Sequence, residues 1–172
     1  MGGGGGGGGA ATFSLTRTHK LTLLHLQGHG LSYSTFKVTM GAVTPNPAST
    51  VFNAGDSFTI SGTVATGAGD PPGGFSLLAY FTQASVAKWT RYGPVLCGFT
   101  RVSVPGGGGV VGFNLSVRVW DFMGFEPATG GYEVMSGVYK VALGTSVDTA
   151  GEMGSVEVTV NGTYSWVWDF SK

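Results

Sequence analysis

The chain has 172 residues, and its nine Lys and Arg balance nine Asp and Glu, which leaves a formal net charge of zero. Proteins that bind nucleic acid or adhere to anionic membranes need an excess of basic side chains, so the composition argues against both partners. Hydrophobic residues make up 42% of the chain and aromatic residues 12%. That share is enough to form a buried core and argues against a wholly disordered protein.

The first 27 residues differ in composition from the rest. Residues 2–9 are an uninterrupted run of glycine, which has no side chain to bury and loses the most entropy on ordering. The apolar stretch at 21–26 is interrupted by Thr22 and His25, unlike the core of a signal peptide, so the localisation stays open. No run of eighteen apolar residues occurs, so no transmembrane helix is expected. We predict a low-complexity, irregular segment over residues 1–27.

From residue 35 onward, apolar residues recur at every second position, the period of a half-buried strand. Clusters of Gly, Pro and Asn separate these runs, as turns do between strands. The run at 75–81 is apolar at both alternations, which predicts a strand in the middle of a sheet. The pattern predicts about seven short strands, at residues 35–40, 57–64, 75–81, 96–104, 111–119, 139–143 and 156–160.

Seven short strands without a helical period indicate an all-β protein, an immunoglobulin-like antiparallel β-sandwich. We place the sandwich at residues 28–161 and a C-terminal tail at residues 162–172. The apolar residues that share a phase along the strands are predicted to form the core between the two sheets. They are Phe58, Ile60, Leu77, Phe99, Val111, Phe113, Leu115, Val117, Tyr139, Val141, Leu143, Val156 and Val158.

Metal-binding and cofactor-binding motifs are weak in this chain. The single cysteine, Cys97, excludes an intramolecular disulfide and a cysteine-based zinc site. His19, His25 and His29 have a spacing that suggests a metal site, but neither an acidic partner nor a predicted helix accompanies them. We expect surface histidines there, and neither a metal nor a cofactor.

Nine carboxylates are the only candidates for glycoside hydrolysis, which needs two carboxyl groups about 5 to 9.5 Å apart across a bound sugar. Most of them fall in turns or at strand ends, where acidic residues are commonly solvated. Glu126 and Glu133 are the nearest to a pair, because they flank the turn at Gly130 and Gly131. We expect this pair to be solvated, with no reason to retain a proton at neutral pH. No catalytic residue is therefore predicted.

Aromatic residues in the predicted turns and strand ends leave two interpretations open. Indole and phenol rings stack on the apolar faces of sugars, but they also fill sandwich cores and domain contacts. The residues concerned are Trp89, Tyr92, Trp120, Tyr132, Trp166 and Trp168.

Several segments resemble one family. Residues 28–36, GHGLSYSTF, resemble the G-x-G-L-S-Y-T-x-F segment of glycoside hydrolase family 3, the β-glucosidases and β-xylosidases. There this segment joins an α/β-sandwich domain to a C-terminal fibronectin type III-like domain. Residues 96–106, LCGFTRVSVPG, resemble that domain's L-x-G-F-x-R-V-x-L-x-x-G stretch. Further similarities follow in the same order along the chain, at residues 58–69, 75–81, 111–119 and 137–146.

The resemblance implies a fibronectin type III-like module without catalytic residues of its own. In the family, the nucleophilic Asp lies in an N-terminal barrel and the acid/base Glu generally in the α/β-sandwich domain that follows. Both precede the G-x-G-L-S-Y segment, and here only 27 residues do, so neither residue is carried over to this sequence. The implied partners are the catalytic barrel and the α/β-sandwich domain, both absent from this chain.

Two hypotheses about function remain open. In the first, the chain is the C-terminal module of a family 3 glycosidase, present as a fragment or a truncated gene model and inactive alone. Such a module should expose an apolar patch where the other domains dock. In the second, it is a free-standing β-sandwich that binds carbohydrate or protein. Substrate-binding residues and sugar specificity stay unassigned in both.

Overall fold

Strands make up nearly all the regular structure in the computed structural model, which describes residues 33–86, 93–161 and 164–167. One 3₁₀ helix, Val119–Phe122, interrupts them. The strands are β1 (Phe36–Thr44), β2 (Val51–Phe52), β3 (Ser57–Thr66), β4 (Gly73–Val86), β5 (Val95–Val104), β6 (Val110–Arg118), β7 (Gly124–Glu126), β8 (Gly131–Val134), β9 (Gly137–Gly144), β10 (Ser155–Val160) and β11 (Tyr164–Val167).

Two sheets form the body of the molecule. The smaller has the order β1-β3-β6, and the larger has the order β2-β10-β9-β4-β5. Their pairings are antiparallel, apart from a short parallel contact of β2 with β10. The prediction of an all-β antiparallel sandwich is confirmed, and each predicted strand is present. Strand β4 lies between β9 and β5, as its two apolar faces predicted.

The third sheet, in the order β11-β8-β7, was not predicted. Its strands are three or four residues long, too short to show a period. Strand β11 lies within the predicted tail at 162–172 and pairs antiparallel with β8. The predicted boundary between residues 27 and 28 lies outside the described residues and stays a prediction.

The core fills the space between the inner faces of the two large sheets. Ile60 and Leu115 from the smaller sheet are fully buried, as are Leu77 and Val141 from the larger one. An aromatic cluster closes one part of the core, where the Phe122 and Tyr139 rings stack with centroids 5.0 Å apart. Most of the predicted core is confirmed. The predicted Val111 and Val156 are half-buried and pack against the hydrophobic core.

Phe99 was predicted to lie in the core, and that prediction is wrong, because 72% of the residue is exposed. Alternation along β5 explains the error. Val104 is buried and Val102 is half-buried and packed against the core, so a residue at odd spacing from them faces outward. Strand β5 therefore contributes less apolar area to the core than expected.

Tyr139 illustrates how a buried polar group is satisfied in this core. The residue is fully buried near the start of β9. Its hydroxyl donates a hydrogen bond of 2.9 Å to the carbonyl oxygen of Met135, four residues upstream. An unpaired phenol in such a place would cost free energy, so this bond fixes the segment that leads into β9.

Among the described residues, none of the regular elements is a helix with the length and apolar character needed to cross a bilayer.

Candidate functional site

The outer face of the larger sheet has an apolar half. Residues directly opposite each other on paired strands share a face, and the register pairs Leu78 with Phe99 and Tyr80 with Leu96. Phe99 is 72% exposed and Leu96 is 49% exposed, whereas Leu78 is half-buried and Tyr80 is only 5% exposed. We call these four residues the outer patch. Antiparallel sheets commonly present polar residues to water on their outer face, so an apolar outer face needs an explanation.

Polar residues flank the outer patch on the same face. Ser76 pairs with Arg101 on one side, and Thr82 pairs with Lys140 on the other. Glu157 on β10 lies opposite Lys140 in the register, so it extends the polar part of this outer face to the next strand. An apolar centre with a polar rim is the usual composition of a protein–protein interface.

An irregularity in β5 creates the outer patch. The register runs from Ala79 opposite Gly98 to Tyr80 opposite Leu96, which leaves Cys97 as one extra residue. Such a bulge shifts the alternation of the strand by one position. Leu96 and Phe99 are three residues apart and would face opposite sides of a regular strand. The bulge turns both of them outward.

Cys97 points inward at the bulge. Its thiol donates a hydrogen bond of 3.4 Å to the carbonyl oxygen of Ala79. Burial, with a smaller contribution from the negative charge of Asp121, raises the pKa of the Cys97 thiol to about 12. The thiol is therefore neutral at physiological pH and is not a nucleophile.

A groove of about 490 Å³ runs beside the outer patch, where the edge strands β5 and β6 approach each other. It is lined by Leu96, Cys97, Gly98, Phe99, Ser116, Arg118, Asp121 and Met123. Arg118 donates two hydrogen bonds to Asp121, of 2.9 and 3.2 Å. These bonds raise the pKa of the Arg118 guanidinium above its usual value. The charges at this rim therefore compensate each other.

Glu126 and Glu133 lie on one face of the β7–β8 hairpin, because the register places each of them opposite a glycine. Both residues are only 7% exposed, so the expectation of a solvated pair is wrong. Glu126 Oε1 accepts a bond of 3.0 Å from the Ala128 amide, and Glu133 Oε1 accepts one of 3.4 Å from the Thr129 hydroxyl. Both carboxylates thus bond to the turn of their own hairpin.

The other face of the same hairpin carries two aromatic rings. Phe125 and Tyr132 are opposite each other, with ring centroids 5.6 Å apart in an edge-to-face arrangement. Both are exposed. The backbone of β11 pairs Trp166 with Tyr132. Of the aromatic candidates for sugar contact, Tyr132 and Trp166 are thus neighbours in the backbone register of the described strands.

Trp120 is half-buried in the 3₁₀ helix. Trp89, Tyr92 and Trp168 lie outside the described residues, as do His19, His25 and His29. Within 33–86, 93–161 and 164–167, no three His, Cys, Asp or Glu residues group as a metal site would require.

A second polar cluster holds the start of β1 against the end of the sandwich. Asp70 Oδ2 accepts hydrogen bonds from the backbone amides of Thr35, at 2.6 Å, and Gly67, at 3.1 Å. The Ser34 hydroxyl donates a bond of 2.8 Å to the carbonyl oxygen of Pro71. We call Ser34, Thr35, Asp70 and Pro71 the entry cluster. It fixes the position at which the chain enters the sandwich.

Comparison with solved structures gives this geometry a context. The chain is similar to one segment of β-glucosidases. A Kluyveromyces marxianus β-glucosidase in complex with glucose matches 81% of this chain with a TM-score of 0.68 and 26% identity. The match covers only 16% of that enzyme, so this chain spans about a sixth of its length.

Two further matches agree in fold. A Listeria innocua β-glucosidase in complex with isofagomine matches 82% of this chain and 18% of its own, with a TM-score of 0.62 and 22% identity. A Bifidobacterium adolescentis GH3 β-glucosidase matches 77% of this chain and 18% of its own, with a TM-score of 0.59 and 21% identity. At this level of identity, the two likenesses show a shared fold. Searches against protein-family models and curated proteins found no match.

The position of the outer patch was not predicted. The signal was present, since the stretch 75–81 is apolar at both alternations. One face supplies the core, and Leu78 and Tyr80 supply the other. The bulge at Cys97 gives no such signal, because Leu, Cys, Gly and Phe fit either face of a strand.

Proposed function

We propose that this chain is a fibronectin type III-like accessory domain of a β-glucosidase-type family 3 enzyme, and that it carries no catalytic residues. The likeness to the K. marxianus enzyme carries this proposal, because most of this chain matches a small part of that one. A chain that matches only a small segment of a large enzyme has the size expected of a domain that supports the enzyme's other domains.

The strand order supports the fibronectin type III-like assignment. The smaller sheet combines the first, second and fifth of the seven predicted strands, and the other four lie together in the larger sheet. Immunoglobulin-like sandwiches have such crossed connections between two sheets. The Tyr139 hydroxyl, bonded to the Met135 carbonyl at the start of β9, has the geometry of the tyrosine corner described for these folds.

The environment of the carboxylates supports the absence of catalysis. Hydrolysis of a glycoside needs an acid and a base or nucleophile on either side of a bound sugar. Glu126 and Glu133 instead bond within their own hairpin, and Asp121 at the groove is paired with Arg118.

A direct assay tests the catalytic part of the proposal. The purified chain is expected to release no nitrophenol above background from aryl β-glucosides or aryl β-xylosides. Glu126→Gln and Glu133→Gln are the matched variants. Turnover in the parent chain that disappears in either variant would overturn the proposal and identify that residue as a candidate catalytic group.

A graft tests the accessory role. In the K. marxianus enzyme, the segment that matches this chain is replaced with residues 28–172, so that β11 is retained. We expect the graft to be more active and more soluble than the same enzyme with the segment deleted. A graft no better than the deletion contradicts an accessory role for this domain.

The exposed Phe125–Tyr132 pair favours one second candidate, a carbohydrate-binding module. Titration with xylo- and cello-oligosaccharides, followed by tryptophan fluorescence, tests it, with Tyr132→Ala as the control. A saturable change at millimolar sugar that Tyr132→Ala abolishes would favour this candidate, and an unchanged signal would dismiss it.

A further inference from the structure

We propose that the outer patch, Leu78, Tyr80, Leu96 and Phe99, is the surface on which the remaining domains of the parent glycosidase dock. This inference rests on the proposed function and adds the location of the contact. The partner is accordingly another part of the same enzyme, with a largely apolar, uncharged contact surface.

Leaving exposed apolar side chains in water costs free energy. Burying apolar surface gains about 25 cal/mol per Å², and Phe99 and Leu96 gain little of it in the isolated sandwich, being 72% and 49% exposed. Exposed apolar groups of this kind, surrounded by polar residues, mark interaction sites. Leu78 and Tyr80 lie beside them on the same face, but Leu78 is already half-buried and Tyr80 is only 5% exposed, so Phe99 and Leu96 supply most of the apolar area that docking would bury.

A dedicated backbone feature presents the patch. Without the extra residue at Cys97, Leu96 and Phe99 would face opposite sides of β5. Bulges of this kind re-aim side chains and bend an edge strand. Here the bulge brings two large apolar side chains to one surface, which core packing alone does not require.

The charges beside the patch indicate the kind of partner that it binds. The groove beside the patch holds one cation and one anion, and Arg118 and Asp121 bond to each other. A strongly charged partner such as nucleic acid or an acidic peptide would find no net complementary charge there. The matched part of the β-glucosidases is under a fifth of their length, so the parent enzyme contains ample surface to cover the patch.

The test uses the graft described above and two exposed apolar residues. Phe99→Ser lies in the patch, and Val110→Ser lies on β6 of the other sheet, where Val110 is also exposed, at 61%. Neither change should shift the melting temperature of the isolated chain by more than a few degrees, because neither side chain is in the core. In the graft, Phe99→Ser should shorten the half-life of thermal inactivation about tenfold, and Val110→Ser should leave it unchanged.

The outcomes separate the two proposals. An unmodified graft that is no better than the deletion overturns the proposed function, and this inference with it. An active graft in which Phe99→Ser behaves like Val110→Ser overturns the inference alone. Sedimentation of the isolated chain supplies a further outcome, since a dimer that Phe99→Ser dissociates would assign the patch to a second copy and overturn docking within the enzyme.

Discussion

Phe113 and Phe99 lie on the edge strands β6 and β5 and have opposite environments, with 4% and 72% of the residue exposed. Phe113→Ala should lower the free energy of unfolding by about 3 to 5 kcal/mol, because it removes a ring from a packed core. Phe99→Ala should change it by less than about 0.5 kcal/mol. Urea denaturation of both variants measures the difference. Equal midpoints would contradict the assignment of the inner face of β6.

Cys97 allows a chemical test of the bulge. With a thiol pKa of about 12 and a buried side chain, the folded chain should not react with a thiol reagent at pH 8, and the unfolded chain should react at once. Because the pKa of the Cys97 thiol is raised, the folded state holds the thiol proton more tightly than the unfolded state does. Its contribution to stability is present below the ordinary thiol pKa of about 8.5 and is lost as the pH rises toward 12. Rapid labelling of the folded chain would show that the bulge is open.

Asp70 is expected to hold the start of β1. Asp70→Ala removes the acceptor for the amides of Thr35 and Gly67, so hydrogen exchange at both amides should accelerate. The free energy of unfolding should fall by about 1 to 3 kcal/mol, the usual effect of losing hydrogen bonds to a charged group. Asp148→Ala, at an exposed position, is the control. Unchanged exchange at Thr35 would argue against the entry cluster.

Strand β5 depends on a glycine where it approaches β6. A Cβ at Gly98 would lie 3.0 Å from the carbonyl oxygen of Ser116 and 3.0 Å from Leu115 Cδ2. A backbone oxygen does not move easily, so Gly98→Ala should cost about 1 to 3 kcal/mol. At Gly112, on β6 itself, the nearest atom to such a Cβ is 3.8 Å away, and Gly112→Ala should be tolerated. Thermal unfolding of the two variants measures the difference, and equal melting temperatures would contradict this close approach.

The elements that could be predicted are those whose period is long enough to read. Strands β3, β6 and β10 alternate over at least six residues, and the sequence predicted each of them. The β7–β8 hairpin could not be predicted, because its strands are short and the buried positions on one face hold Gly and Glu. The position of the outer patch could not be predicted for a related reason. Phe99 lies in a strand that contains a bulge, and an apolar side chain does not show which face it occupies.

The whole molecule combines zero net charge with an apolar patch on its surface. The sequence has an isoelectric point of about 6.8, and proteins are least soluble where self-repulsion vanishes. We expect the solubility of the isolated chain to be lowest near that pH and to increase at pH 5 and pH 9. Precipitation by polyethylene glycol at the three pH values measures this. Phe99→Ser should raise the solubility of the chain at this minimum, because it removes an exposed apolar side chain. A solubility that depends neither on pH nor on this substitution would contradict the expectation.

The entry cluster has a consequence for how strong the patch contact must be. Gly73 begins β4 beside Phe36, and Leu78 follows five residues later, a distance of about 17 Å along the strand. In the proposed enzyme, a chain fixed at Thr35 would therefore present the patch to its neighbour from a short, stiff attachment. Such a tether gives an effective concentration in the millimolar range or higher. At an effective concentration of about 1 mM, an intrinsic dissociation constant of about 0.1 mM would be enough to keep the contact about nine-tenths closed. A contact of modest affinity can thus orient a whole domain.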